Sequence, residues 1–271
     1  GALLIPSTLF LAIAWWGYRN AQIEALATAA RASELAYRQA ERTIAAAVEV
    51  ARHVDAATRS DDDDALRAQE EQLHRRLQDM TVGLPWVVNL NVWDEEGHPL
   101  VWTESYPVRR AATVADRAYF IDQRRPEAGV GVSEVLIGRN SGHQITNVVL
   151  RRSSPDGAFR GVITVSMRPN TFGDYYRALA GDVPGLARFA LVRTDGKPIA
   201  QWSGTPGADE TLGPAWKEMQ RRIAANEREG SLYAASSEGD ERAAYASFRR
   251  VGDYPVYVAA EYGRSQMVAG W

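Results

Sequence analysis

Arginine is the residue type here whose placement most suggests chemistry. Between Tyr106 and Asn170 the sequence holds ten arginines and five acids, a local net of +5 in a 271-residue chain whose formal net charge is −3. Arg117, Arg139, Arg151, Arg152 and Arg168 lie in or beside strand-like segments that also hold Tyr119, Phe120 and Asn147. A guanidinium presents a planar fork of donors that matches a carboxylate, and tyrosine hydroxyls and amides can complete such a site. The pattern therefore points to a pocket for a carboxylate or another anion. An arginine that only covers the surface reads the same way in sequence, so each one is a candidate until the fold places it.

The rest of the chain supplies no enzyme's machinery. With no cysteine, it has no disulfide framework, thiolate metal site or cysteine nucleophile. Its four histidines, His53, His74, His98 and His143, have no metal-ligand spacing. There is no Gly-x-Ser-x-Gly and no phosphate loop, and Gly129-Val-Gly131 lacks the third glycine and helix start of a dinucleotide fingerprint. The acids Asp94 and Glu95 fall in a turn. Ser60 followed by Asp61 to Asp64 reads as a helix stop and a fresh N-terminus, with carboxylates at the positive end of the new dipole. That run lacks the alternation and glycine of a calcium loop. No catalytic residue, metal site or cofactor is expected. The near balance of 31 basic and 34 acidic residues gives no nucleic-acid partner.

The elements that must position the arginines follow from periodicity. An apolar run from Ala2 to Trp16 ends in Trp15, Trp16 and Tyr18 before Arg19, which reads as a transmembrane helix met partway along its length (residues 1–18). From Ala21 to about Arg59 there is neither proline nor glycine. Ile23, Leu26, Ala30, Ser33, Tyr37, Ala40, Ile44, Ala47, Ala51 and Val54 recur there at spacings of three and four. That seam suits either a partner helix, as in a homodimer, or the chain's own core. This stalk helix and a second helix reach to residue 80.

After Gly83-Leu-Pro85 the period changes to two. Trp86 to Trp93 reads as a strand, Asp94-Glu-Glu-Gly97 as a turn, and Pro99 to Trp102 as a returning strand. Further along, Phe189 to Trp202 repeats that hairpin, and Gly196-Lys-Pro198 echoes Gly97-His-Pro99. Each hairpin precedes a long strand pair, Val130 to Val149 with Phe159 to Met167 and Ser231 to Phe248 with Tyr254 to Tyr262. The repeated order predicts two copies of one antiparallel-sheet domain, over 81–183 and 184–263. Residues 264–271 turn apolar and read as the start of a second span.

Several of these segments resemble a known family. Ala115-Asp-Arg-Ala-Tyr-Phe120, Gly138-Arg139, Arg151-Arg152 and Pro155-Asp-Gly-Ala-Phe-Arg-Gly-Val162 are similar to the double Cache sensor domains of bacterial transmembrane receptors. Ala190-Leu-Val-Arg-Thr-Asp-Gly196 and Val251-Gly-Asp-Tyr-Pro255-Val resemble that family's second module. The resemblance runs from about Asn20 to Gly263. It implies an α+β architecture: a transmembrane and stalk helix, a membrane-distal and a membrane-proximal PAS-like domain, and a second span. It also implies a periplasmic sensor in the bacterial inner membrane whose distal domain holds a small molecule. The implied output is a histidine kinase, with a diguanylate cyclase or chemotaxis domain as alternatives. Carried onto this sequence, the resemblance makes Arg117, Tyr119 and Phe120 pocket wall, followed by Arg139, Gln144 and Asn147. Arg168 in Ser166-Met-Arg168-Pro169 stands where amino-acid-binding relatives carry an acid, which tilts the expected ligand toward a carboxylate or other anion. A ligand-free structural or dimerising ectodomain is the competing expectation.

Overall fold

The computed structural model describes residues 4–59, 62–139, 142–183, 185–204, 214–234 and 244–270. It opens on one continuous helix, α1 (Leu4–Thr58). Two short helices follow, α2 (Asp63–Ala68) and α3 (Glu70–Thr81). The start of α2 shows why the aspartate run stands there. Asp62 Oδ1 accepts the Ala65 N–H at 2.8 Å, and Asp63 and Asp64 fill the first turn. A side-chain cap of this kind is worth about 1 kcal/mol. Ser60 and Asp61, part of the same expectation, lie outside the described residues.

Two antiparallel sheets come next, each with a hairpin at one edge. The first contains β1 (Val87–Trp93), β2 (Pro99–Trp102), β3 (Gly131–Val132), β4 (Leu136–Ile137), β5 (Gln144–Ser153) and β6 (Phe159–Met167), in the order β2-β1-β6-β5-β3 with β4 also on β5. A short helix, α4 (Ala118–Gln123), connects its halves. The second follows α5 (Asn170–Asp182) and contains β7 (Leu186–Arg193), β8 (Pro198–Ser203), β9 (Glu229–Ala234), β10 (Ala244–Arg250) and β11 (Val256–Gly263), in the order β8-β7-β11-β10-β9. The helix α6 (Pro214–Ala224) precedes β9, and α7 (Arg264–Gly270) follows β11. The long strand expected over Val130 to Val149 is three pieces, because the chain leaves the sheet between Val132 and Leu136 and again before Gln144. The one expected over Ser231 to Phe248 is likewise two, β9 and β10.

The α1 stripe packs on the chain's own sheets. Ala32, Ala36, Ala40, Ile44, Ala47, Val48, Ala51 and Val54 are buried in one cluster with Leu90, Ile163 and Val165 of the first sheet and Phe189, Leu191 and Val258 of the second. Alanine at these positions lets the backbone of one helix approach both sheets closely. Larger members such as Ile44 and Val54 add about 1.5–3 kcal/mol each over exposed side chains. Ile23, also in the expected seam, is 62% exposed. Among the described residues no helix is long and apolar enough to cross a membrane, so the span expected over residues 1–18 is not seen as a separate element. Residues 4–18 are instead the first turns of α1.

Candidate functional site

Because side chains alternate along a strand, the first sheet has a second face turned away from α1. Asn89, Asn91 and Trp93 of β1, Thr164 and Ser166 of β6, and Asn147 of β5 all lie on it. One end of this face is filled by Trp93, Trp102, Val108, Val114, Tyr119, Phe120, Val149 and Val162. The other end holds a cavity of about 40 Å³.

The cavity floor carries two sets of side-chain hydrogen bonds. Asn91 Nδ2 donates to Asn89 Oδ1 at 2.8 Å and to Thr164 Oγ1 at 2.9 Å, and Trp93 Nε1 donates to the same Thr164 oxygen at 3.0 Å. Ser166 Oγ donates to Asn147 Oδ1 at 2.7 Å. All five polar residues of the floor are buried, so this mutual bonding is what makes their burial tolerable. Glu104 stands at the rim, where it accepts a long hydrogen bond of 3.5 Å from Asn89 Nδ2.

The opposite wall comes from the segment around α4 and from the β4 turn. Arg117 is the residue immediately before α4, with extended backbone, and its Nη2 donates to the Ile137 carbonyl at 3.3 Å. Arg139 lies past β4 and is held by Asp116 at 2.5 Å and by the Thr113 carbonyl. That hydrogen bond from Arg139 holds the Asp116 carboxyl below its ordinary range. Tyr119 is 9% exposed, and burial raises its phenol to about 12 against the opposing pull of Arg117 and Arg139. The hydroxyl therefore stays protonated and able to donate.

The structure thus brings Arg117, Tyr119, Arg139 and Asn147 to one cavity and leaves three of the expected residues off its lining. Phe120 is fully buried and meets Phe159 edge-on at 5.5 Å, because helix α4 turns it away from the cavity its neighbour Tyr119 lines. Gln144 is exposed at the start of β5. Arg168 is exposed past the end of β6 and donates to the Pro85 carbonyl at 3.3 Å. Of the other arginines, buried Arg152 donates to the carbonyls of Trp93 and Arg160 and to Asp63, and Arg151 lies 5.0 Å from the Phe159 ring centre. Both brace the end of the β5–β6 ribbon. The sequence reading missed Asn89, Asn91, Glu104, Thr164 and Ser166. Its available signal was two asparagines at alternate positions in an otherwise apolar strand.

At the equivalent places in the second sheet stand Arg188, Ala190, Ala246, Ala259 and Glu261. Arg188 Nε lies 3.8 Å from Glu261 Oε2, and Glu261 Oε1 is buried without a hydrogen-bond partner. Among the described residues no three histidine, aspartate or glutamate side chains converge as a metal site. A broader groove of about 570 Å³ runs between α1, the end of α5 and α7, lined by Glu24, Arg31, Asp182 and Gln266 among others.

No protein-family model and no curated protein matches the chain. Solved structures do match over nearly its whole length. The extracellular domain described as that of a histidine kinase, rpHK1S-Z16, is 21% identical with a TM-score of 0.58, covering 86% of this chain and 95% of that one. The ligand-binding domain of the Campylobacter jejuni chemoreceptor Tlp3, solved with L-valine, is 9% identical with a TM-score of 0.63 over 93% of this chain and 98% of that one. The ligand-binding domain of Mlp24, solved with asparagine, is 12% identical with a TM-score of 0.59 over 92% and 98%. The likeness is one of fold: two antiparallel-sheet domains beside a long helix, the fold of these extracellular sensor domains.

Proposed function

We propose that this chain is the extracytoplasmic ligand-sensing region of a bacterial membrane receptor, and that its first domain (81–183) binds a small carboxylate or other anion. The observation that carries the reading is the convergence of Arg117, Tyr119, Arg139 and Asn147 on one cavity. Two guanidinium groups and a protonated phenol form an electropositive wall above a buried polar floor, and no catalytic set accompanies them. A ligand there biases how the first domain sits on α1 and on the second domain (184–263), and the helices carry that shift toward a cytoplasmic output, a sensor histidine kinase by preference. A filled, ligand-free core against Arg117 is what a purely structural ectodomain requires, and the cavity speaks against it.

Placement at the inner membrane rests on the two ends of the described chain. Leu9, Phe10, Leu11, Ile13, Trp15 and Trp16 of α1 are each 59–71% exposed. Farther along, Met267 of α7 packs with Ala25 and Tyr245, and Arg264 Nη2 donates to Tyr18 at 3.3 Å. The final helix therefore packs on α1 between Tyr18 and Leu26, just past the exposed apolar residues, which suits a membrane surface nearby. A homodimer through the exposed side of α1, where Ile23 and Leu35 face outward, belongs to the same reading.

Glu104 favours a second reading of the ligand. It supplies at the cavity rim the acid that an amino group would need, and Arg168, which stood against amino-group recognition, is off the cavity lining. A thermal-shift panel of carboxylates, amino acids and cations on the purified chain tests both. Stabilisation by carboxylates that disappears in Arg117→Ala supports the anion site. Amino-acid binding that Glu104→Gln weakens while simple carboxylates are unaffected supports the second. Stabilisation by cations alone, untouched in Arg117→Ala, overturns both.

A further inference from the structure

We infer that the cavity takes a short monocarboxylate of acetate or propionate size, an inference that rests on the anion-site reading above. Size is the first ground. A cavity of about 150 Å³ accommodates benzene, and this one offers about 40 Å³. The cavity is open on one side, so L-valine, with twice the heavy atoms of acetate, can enter only by leaving part of itself outside these walls.

Charge is the second ground. Of the two wall arginines, Arg139 is already paired with Asp116, while Arg117 has only the Ile137 carbonyl as a hydrogen-bond partner among the described residues. Arg117 is the guanidinium without a carboxylate partner and suits one carboxylate, whereas the second carboxylate of a dicarboxylate must break the Arg139–Asp116 pair or meet Glu104 at the rim. The third ground is the state of the floor. The Asn91–Thr164 and Ser166–Asn147 bonds spend part of these groups' capacity on each other, so a ligand rich in hydroxyls or amides competes with bonds already made. The remaining lining includes Val114, Leu136 and Ile145, which suit a short alkyl tail.

The test is calorimetric titration of the whole chain with acetate, propionate, succinate, L-valine and L-asparagine. Acetate and propionate are expected to bind saturably, and the other three are not. Arg117→Lys keeps the charge but loses the planar fork, and is expected to weaken acetate binding about tenfold. Ala112→Val narrows the cavity without touching a charge, and is expected to abolish binding. Both variants are checked for native circular dichroism, so a loss of binding is read on folded protein. If L-valine, L-asparagine or succinate binds in an Arg117-dependent way and acetate does not, the short-monocarboxylate assignment fails and the anion site stands. If no carboxylate of any size binds, both fall.

Discussion

Arg193 of β7 reaches out of the second domain and donates a hydrogen bond of 2.5 Å from Nη1 to the carbonyl of Val132 on β3 of the first. Beside it Lys197 pairs with Glu134. The segment these two residues hold is also tied to the cavity. Ser133 N–H donates to the Asn147 carbonyl, and Asn147 N–H donates to Ser133 Oγ, both at 2.8 Å. Three consecutive residues, 132 to 134, thus touch both a cavity-lining asparagine and the second domain's first hairpin. The segment is placed to couple the domains, because a change at Asn147 reaches Arg193 through a single short strand.

Removing the less exposed end of that connection is expected to loosen the segment locally. In Arg193→Ala, amide exchange at Val132 and Ser133 is expected to quicken while the interior of β6 keeps its protection. Lys197→Gln, which removes an exposed pair, is expected to leave the thermal midpoint nearly unchanged. Hydrogen-exchange mass spectrometry of the two variants reads both outcomes. Unchanged exchange at β3 in Arg193→Ala would show that the domains are joined elsewhere.

The alternation of Trp86 to Trp93 and the turn at Asp94 to Gly97 were readable in sequence because local pattern determines them. The same holds for the recurrence of that hairpin at Phe189 to Trp202. The α1 stripe was legible as a stripe, but its partner was not, since alanine at three- and four-residue spacing suits a second helix or a sheet equally. Arg117, Tyr119 and Arg139 were identifiable by type and by resemblance. Arg151, Arg152 and Arg168 have the same type, and only their tertiary partners, among them the carbonyls of Gln123, Trp93 and Pro85, separate them from the cavity. Asn89, Asn91, Thr164 and Ser166 were missed because polar residues in strands ordinarily mark the solvent face. Here that face is covered by the segment around α4.

Phe120 tests whether the neighbourhood of the cavity is core or contact surface. It is fully buried among Trp93, Trp102 and Val149, off the cavity lining. Phe120→Ala is expected to cost about 3–5 kcal/mol of stability. Phe120→Leu, which keeps most of the volume, costs less and leaves ligand affinity intact. Urea unfolding beside a binding titration separates the two quantities. Loss of affinity in a stably folded Phe120→Leu would place this ring in the site after all.

Glu261 gives the second domain a pH dependence of definite sign. Burial raises its carboxyl above the ordinary 4.5, with Arg188 opposing that rise. A raised acid binds its proton more tightly in the folded chain than in the unfolded one. Its contribution is therefore complete below the unfolded value and lost as pH rises through the folded value. As pH rises above the ordinary carboxylate range, unfolding midpoints of the native sequence are expected to fall more than those of Glu261→Gln. Parallel pH profiles for the two chains would refute this.

Two glycines with the same backbone hand separate strain from crowding. Gly157 has φ +86° with open space where a Cβ would stand, and Gly161 has φ +110° with the Trp93 carbonyl oxygen 2.0 Å from that position. Left-handed backbone alone costs an ordinary residue about 1–3 kcal/mol. Gly157→Ala bears only that cost. Gly161→Ala must also push β1 away from β6 at the edge of the cavity floor. Its thermal midpoint is expected to fall well below that of Gly157→Ala, and equal midpoints would mean that the strand pair yields freely.

Asp116 decides how much of the positive wall is available to a ligand. Its pairing with Arg139 withholds one guanidinium, and the hydrogen bond from Arg139 keeps the carboxyl ionised below its usual range. Asp116→Asn removes the negative charge and releases Arg139. Acetate affinity is expected to rise, by up to about fivefold at low ionic strength, with the gain shrinking as salt is added. The opposite result is equally informative. If affinity falls in Asp116→Asn, the carboxylate positions Arg139 for the ligand instead of competing with it, and Arg139→Ala should then weaken binding as much as Arg117→Ala does. Titrations of the three variants at two salt concentrations distinguish a withheld cation from a positioned one.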